Sequence, residues 1–260
     1  MSTIGLSLAP ICRICRREAG ALTDEQYAGQ LTAHSKRMRD VPHECCDSDY
    51  DAIFDERTAQ RQLAEYRRSG PDGSTNRLIE AIKGAGPERG SVLDIGGGVG
   101  VIGLELLAAG ARSLTGVDAS HAYVAVARDE IERRGWGERA TIRHGDFVQL
   151  AHEVEPVDIV TLDRVVCCYG EWAALVDASA SRARRLYGLV FPNDRWWLRR
   201  VIGLANLALR LSGRSFRGYV HPERSVDERI RRAGFERQVH HRGWVWQTIL
   251  YVRVGPGSGG

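Results

Sequence analysis

No run of apolar residues in this 260-residue chain approaches the ~18 needed to cross a bilayer. The opening stretch, MSTIGLSLAPICRICRR, sets its charges after a weak apolar run, the reverse of the order in a secretory leader. Cysteine is too sparse for a disulfide framework. There are six in all, with adjacent pairs at Cys45-Cys46 and Cys167-Cys168, a usage that suits a reducing, cytoplasmic setting. Internal repeats are missing, and composition excludes collagen-like, disordered and disulfide-rich mini-protein classes. What is present, 43% hydrophobic and 27% charged, describes a globular chain long enough for one large domain with an appendage.

The formal net charge of +3 conceals an asymmetry. Residues 1–179 hold 20 basic and 28 acidic side chains, whereas residues 180–260 hold 16 and 5, every base of the second part being arginine. A solvated surface is the plain reading. A contact with an anionic acceptor, nucleic acid or a membrane surface is the sharper one.

Residues 1–48 show little periodicity and read as an irregular extension. Residues 49–84 read as a helical lid, with one helix from about Asp55 to Arg68 and a second from Thr75 to Lys83, N-capped by Ser74. From residue 85 to 254 strands alternate with helices. The strands are expected at Ser91–Ile95, Ser113–Asp118, Ala140–His144, Val157–Leu162 and Leu186–Phe191, with helices at Val101–Ala109, Ala122–Arg134 and Glu171–Arg184. A helical insertion at 195–211, a helix from Glu223 to Ala233 and closing strands at Phe235–His240 and Trp244–Val254 complete the pattern. This spacing implies an α/β fold with a mostly parallel, Rossmann-like sheet covered by helices on both faces. Residues 255–260 read as a flexible tail.

The informative segment is Leu93-Asp94-Ile95-Gly96-Gly97-Gly98-Val99-Gly100. A glycine-rich turn between strand and helix lets a nucleotide-type ligand approach the backbone, beside the free N–H groups of a helix N-terminus. Two cofactor classes compete for it. Gly98-x-Gly100-x-x-Gly103, with Asp118 further on, matches the dinucleotide fingerprint of an NAD(P)-dependent oxidoreductase. Its register is poor, and Asp94 at the strand end would face an anionic pyrophosphate across low dielectric. For S-adenosylmethionine the sign reverses, because that ligand brings an ammonium, a sulfonium and no phosphate.

At these residues the chain resembles the class I S-adenosylmethionine-dependent methyltransferases. Asp94-x-Gly96-x-Gly98-x-Gly100 matches their first motif, and Val117-Asp118-Ala119-Ser120 the acidic end of their second strand. The resemblance implies that Asp118 and Ala119 hold the ribose. It also implies that Asp146 of Gly145-Asp146-Phe147 accepts from the adenine amino group, with Phe147 flanking the ring. Val157–Asp163 matches the fourth strand, which leads to the reaction centre with Asp163 at its ligand end; Asp158, at the other end, reads as structural. The match covers about residues 85–254, including the antiparallel terminal hairpin of the family. The layout also loosely resembles the magnesium-protoporphyrin O-methyltransferase group within the small-molecule enzymes.

Methyl transfer needs little acid–base machinery, so the acceptor is hard to read. A small, partly apolar molecule methylated on O or N is the expectation, with a carboxylate or phenol in view. Asp163, Tyr169 and His221 are the candidate catalytic or positioning groups. Tyr50 and Phe54 of the lid, with Trp196 and Trp197 of the insertion, are the candidate acceptor contacts. The insertion is apolar over most of its surface and reads as core or as a cap on the acceptor, not as a membrane anchor. Cys167 and Cys168 follow two valines and read as small core residues. Cys12-x-x-Cys15 with His43-x-Cys45-Cys46 lacks the second pair of a zinc knuckle, so no metal is expected. No stable nucleic-acid complex is expected either, although a non-catalytic cofactor- or nucleic-acid-binding module remains the alternative outside the enzymes. The oligomeric state is not legible.

Overall fold

The computed structural model describes residues 50–254, all within the unit Cys45–Gly260. The expected extension at 1–48, its Cys12, Cys15, His43, Cys45 and Cys46, and the tail at 255–260 lie outside the described residues.

A helical turn at residues 50–53 leads into α1 (Glu56–Ser69) and α2 (Gly73–Gly84). Asp55 caps α1 by accepting from the Thr58 N–H at 2.8 Å. Ser74 is not the cap of α2, as expected from sequence. Asp72 takes that role, accepting from the N–H groups of Ser74 and Thr75 at 3.0 and 3.2 Å. A carboxylate two residues earlier satisfies two orphan donors at once, and the helix starts sooner.

The Rossmann-like body then runs β1 (Ser91–Ile95), α3 (Val101–Ala108), β2 (Ser113–Asp118), α4 (His121–Arg133), β3 (Ala140–His144), a single turn α5 (Phe147–Leu150), β4 (Val157–Asp163), α6 (Trp172–Arg182), β5 (Ala183–Pro192), α7 (Trp196–Leu211), α8 (Glu223–Arg232), β6 (Phe235–Arg242) and β7 (Trp246–Arg253). The sheet order is β3-β2-β1-β4-β5-β7-β6. The first five strands are mutually parallel, while β7 is antiparallel to both β5 and β6. Strand β5 starts at Ala183, paired with Val157, earlier than its apolar run suggests, because the exposed Arg184 and Arg185 disguise its first residues. Strand β7 starts at Trp246; the preceding Gly243–Val245 forms the turn, with Gly243 N–H donating to Trp246 O at 2.9 Å.

Successive strand residues point to opposite faces, and two cores result. Val92, Ile159, Leu186 and Leu250 join Leu63 of α1, Leu78 and Ile82 of α2, Leu104 of α3 and Val124 of α4. Leu93, Val160, Leu189 and Ile249 join Val176 of α6 and Ile230 of α8. The carboxyl ends of the five parallel strands therefore share one edge, the ligand edge of an open α/β sheet.

Helix α7 departs from expectation. Of its sixteen residues only Leu198 is buried, and Trp196, Val201, Leu204, Leu207 and Leu211 are exposed. The helix is not core. A segment apolar almost all round has no single phase in its pattern, so the buried side cannot be read from it.

Candidate cofactor and acceptor site

Each parallel strand delivers one group to the ligand edge. After β1 the glycine loop turns sharply. Gly96 has φ +59° and lies so close to Val165 that an added Cβ would meet Val165 Cγ2 at 2.4 Å. A Cβ at Gly97 would meet the Asp94 carboxylate at 2.6 Å. Those two contacts bring the loop down onto the strands and leave its upper backbone to a ligand.

Asp94 is buried beneath this loop and not on its open surface. Its Oδ1 accepts from Thr161 Oγ1 at 2.7 Å, and burial pushes its carboxyl up to about 7. The expected direct attraction to a cationic ligand thus acts from below, through the loop. Asp118, at the end of β2, accepts from the Gly98 N–H and the Ser120 N–H, each at 2.9 Å. It fastens the glycine loop to β2 and has one further lone pair on each oxygen for a ligand. Burial raises its pKa, against the pull of those two backbone donors. Ala119 contributes its carbonyl to His144 Nε2 at 3.0 Å.

After β3, Asp146 caps α5 through the Val148 N–H at 2.9 Å and accepts the phenol of Tyr169. Phe147 is buried in the second core, 4% exposed, so its ring supports this corner from inside and is not open to flank a ligand. Tyr169 thus belongs with Asp146. Burial, then the Asp146 charge, push its phenol well above the ordinary range, which removes it as a base at neutral pH.

At the end of β4 the Asp163 Oδ2 accepts from Thr75 Oγ1 of α2 at 2.5 Å. Its Oδ1 is buried with no hydrogen-bond partner, 3.5 Å from the Arg164 Nε, and burial raises its pKa. Arg164 adopts φ 61°, left-handed backbone for a side-chain-bearing residue, and its guanidinium reaches Asp72, Ser74 and Thr75. Neither Arg164 nor Thr75 was legible as a site residue, because their partners lie 88 to 92 residues away. At the end of β5 the Asn193 amide nitrogen donates to Gly243 O at 2.8 Å, while its Oδ1 is buried and unpartnered.

His221 is buried. Its Nε2 lies 2.9 Å from the Val166 carbonyl, which makes that nitrogen a donor, and burial lowers its pKa. It packs between Trp172 and Tyr219, with ring centroids at 5.4 and 5.6 Å. With Tyr219 N–H on Cys167 O at 2.7 Å, it pins the loop after α7 to the loop after β4. Cys167 is buried and Cys168 half-buried; Cys168 O accepts from Tyr50 at 3.2 Å. Asp158, at the far end of β4, accepts from Ser91 N and Oγ at 2.7 and 2.9 Å, a structural clamp as expected.

The lid closes over this edge. Asp51 accepts from the His121 N–H at 2.9 Å, Phe54 O accepts from Ser120 Oγ at 2.7 Å, and Tyr50 reaches the β4 loop. Tyr50 and Phe54 stack at 6.3 Å, and Phe216 meets both edge-on at 6.1 and 5.8 Å. Phe216 was not expected; nothing in the residues near it marks it. The expected partners Trp196 and Trp197 are elsewhere. Trp196 is 70% exposed under Arg200, and Trp197 packs on Trp244 at 5.6 Å. Among the described residues no cluster of His, Cys, Asp and Glu could hold a metal, and no helix is long and apolar enough to cross a membrane.

The two oxygens without a hydrogen bond, on Asp163 and Asn193, both lie at the ligand edge, and the donor nearest that of Asp163 is the Arg164 Nε, 3.5 Å away and itself unbonded. A ligand bringing an ammonium and amine donors fits them. A pyrophosphate, which brings only acceptors and negative charge, does not.

Residues 92–186 match the family model described as a methyltransferase domain. No curated protein matches the chain. Among solved structures it is similar to magnesium protoporphyrin IX methyltransferase from Synechocystis with bound S-adenosylhomocysteine, at 22% identity and TM-score 0.56, covering 79% of this chain and 97% of that one. It is also similar to an O-methyltransferase family protein from Burkholderia thailandensis, at 16% identity and TM-score 0.63, covering 80% and 64%. A third is an O-methyltransferase family 2 protein from Planctomyces limnophilus in complex with apigenin, at 17% identity and TM-score 0.56, covering 76% and 62%.

Proposed function

We propose that this chain, an S-adenosylmethionine-dependent methyltransferase through its domain at residues 92–186, methylates an already ionised oxygen of a small, partly apolar cytoplasmic molecule. The cofactor supplies an electrophilic methyl group on a sulfonium. Asp118 would hold its ribose, Asp146 with Tyr169 its adenine edge, and Asp163 its ammonium, through the oxygen that makes no hydrogen bond and has only the Arg164 Nε, 3.5 Å away, beside it. Asp94 supports the loop from beneath and adds negative potential toward the positive ligand.

The observation that carries the choice of an ionised oxygen over a neutral hydroxyl is the condition of the candidate bases. Tyr169 is bound to a carboxylate and raised in pKa. His221 has one nitrogen committed to a carbonyl, and its burial disfavours the charged form. Asp163 is neighboured by Thr75 and Arg164. A carboxylate or an acidic phenol needs no base, and catalysis is then in-line positioning with water excluded. The Tyr50–Phe54–Phe216 cluster supplies the apolar roof for such a molecule. The neighbour crystallised with apigenin, a phenol, supports the reading by likeness of fold.

The test is a panel of aromatic carboxylic acids, phenols of graded acidity, and amines, assayed for methyl transfer across pH. Turnover should follow the ionised fraction of the oxygen acceptors. Turnover confined to amines would reject the reading.

A further inference from the structure

We infer that α7 and the tip of the β6–β7 hairpin form a docking surface for an anionic lipid bilayer. On a wheel of 100° per residue, Trp196, Trp197, Leu204, Leu207, Leu211, Ala208 and Val201 fall within an arc of about 140°. The buried and half-buried residues Leu198, Ile202, Asn206 and Leu209 occupy the opposite side. There Asn206 ties the helix down, donating to Gly218 O at 2.8 Å and accepting from Gly218 N–H at 2.9 Å. The helix is thus fixed by one side, and a second apolar side faces outward. Trp196 is 70% exposed, Leu204 68% and Leu211 80%. Trp197 packs on Trp244, itself 78% exposed at the hairpin tip, which carries the outward apolar face beyond the helix.

Charge identifies the occupant. The 28 residues from Arg195 to Pro222 contain six arginines and no carboxylate, and Asp194, just before them, is paired with Arg199. Arg200 lies within the apolar arc, its guanidinium 5.2 Å from the Trp196 ring, and Arg199 and Arg210 border the arc along one side. A long side chain on such a border lets its stem lie on hydrocarbon while the guanidinium reaches a phosphate. Indole rings belong at the headgroup level, and leucines just beneath. A second copy of this face would set Arg200 and Arg210 against their own counterparts, since the neighbouring carboxylate, Asp194, is already paired with Arg199, whereas an anionic bilayer meets both the apolar and the basic parts. The helix would lie in the plane of the surface; it is too short and too charged to span it.

The test is co-sedimentation of the full chain with phosphatidylglycerol-rich vesicles and with pure phosphatidylcholine vesicles. It is repeated for Leu204→Glu/Leu207→Glu and for Arg200→Gln/Arg210→Gln. Both variants alter exposed side chains, and S-adenosylhomocysteine binding by calorimetry checks that each is folded. The parent should bind the anionic vesicles and weaken as salt is raised. The leucine variant should lose binding by roughly tenfold or more, and the arginine variant should lose most of its preference for anionic over neutral vesicles. No sedimentation of the parent, or sedimentation unchanged in the leucine variant, would overturn the assignment. So would parent self-association in ultracentrifugation that the leucine variant abolishes, since the face would then join two copies. Lost turnover on a soluble acceptor in the leucine variant, without vesicle binding by the parent, would make α7 an acceptor cap instead.

Discussion

The phenol of Tyr169 lies 2.9 Å from one oxygen of Asp146 and 3.1 Å from the other, joining the loop after β4 to the turn after β3 across the ligand edge. Tyr169 therefore fixes Asp146, the acid proposed to meet the adenine, and is not available to take a proton from an acceptor. Tyr169→Phe should raise the cofactor Kd several-fold, on the scale of ~1 kcal/mol for a typical hydrogen bond, since the phenol acts on the cofactor only through Asp146. The pH profile of kcat should not move. Calorimetry with S-adenosylhomocysteine and a pH–rate series separate the two effects, and a basic limb lost from the profile would restore Tyr169 as a base.

Asp118 has two duties, so its removal should have two consequences. Asp118→Ala should weaken cofactor binding by about 1.5–3 kcal/mol. It should also lower stability by ~1–3 kcal/mol, because the Gly98 and Ser120 N–H groups lose their acceptor. Sequence alone suggests only the first. Urea unfolding without cofactor measures the second, and an unchanged midpoint would mean that the loop does not depend on this carboxylate.

Asp94 makes stability fall with pH. An unfolded carboxyl of this type titrates near 3.8, and burial raises it to about 7 in the fold. Its contribution to stability is complete below the lower value and is lost as pH rises through the upper one, since the folded chain must then hold a buried charge. The difference amounts to at most ~4 kcal/mol. Asp94→Asn should flatten the decline of Tm between pH 4 and pH 7 in the cofactor-free protein. Cofactor should stabilise the parent more at pH 8 than at pH 5, and the variant about equally at both. Thermal scans with and without S-adenosylhomocysteine give all four slopes, and parallel slopes for parent and variant would contradict the assignment.

Glu130 has the opposite sign. It is fully buried and accepts from Arg67, Arg133 and Arg134, and the Arg133 bond leads in drawing its carboxyl down to about 2. Arg67 belongs to α1, so this cluster fastens the lid helix to α4. Glu130→Gln should cost ~2–4 kcal/mol at pH 7, because three guanidinium groups lose their counter-charge. The contribution is present above about 4.5 and is lost as pH falls toward 2, so the gap between parent and variant should close in acid. Denaturant titrations at pH 7 and pH 3 measure it.

Much of the body was legible because its signals are local. The five parallel strands are short apolar runs, each followed by a turn residue at its ligand end. The glycine loop announces itself, because only glycine tolerates the φ of Gly96 against Val165 and the approach of Gly97 to Asp94. Asp158 was legible as structural from its place at the wrong end of a strand. Where a residue's role depends on a distant partner, the local signal fails. His221 read from the sequence as a candidate positioning or base group, yet Val166 engages it from 55 residues away. Phe216 carries no mark in its neighbourhood, yet it completes the aromatic roof with Tyr50 and Phe54.

By itself the sequence determined the sheet, the ligand edge and the preferred sign of the ligand, since a carboxylate at Asp94, at the strand end beside a glycine loop, already disfavours a phosphate. Only the tertiary structure decided which polar atoms have capacity left over. Tyr169 is taken by Asp146 and half of Asp163 by Thr75, while the other half of Asp163 makes no hydrogen bond and has only the Arg164 Nε, 3.5 Å away, beside it. Hydrogen-bond capacity is counted over groups brought together from across the chain, and spacing along it does not encode the count. The same holds for α7. Its composition made it apolar over most of its surface, and the tie from Asn206 to Gly218 decided which side faces in and which is left outward.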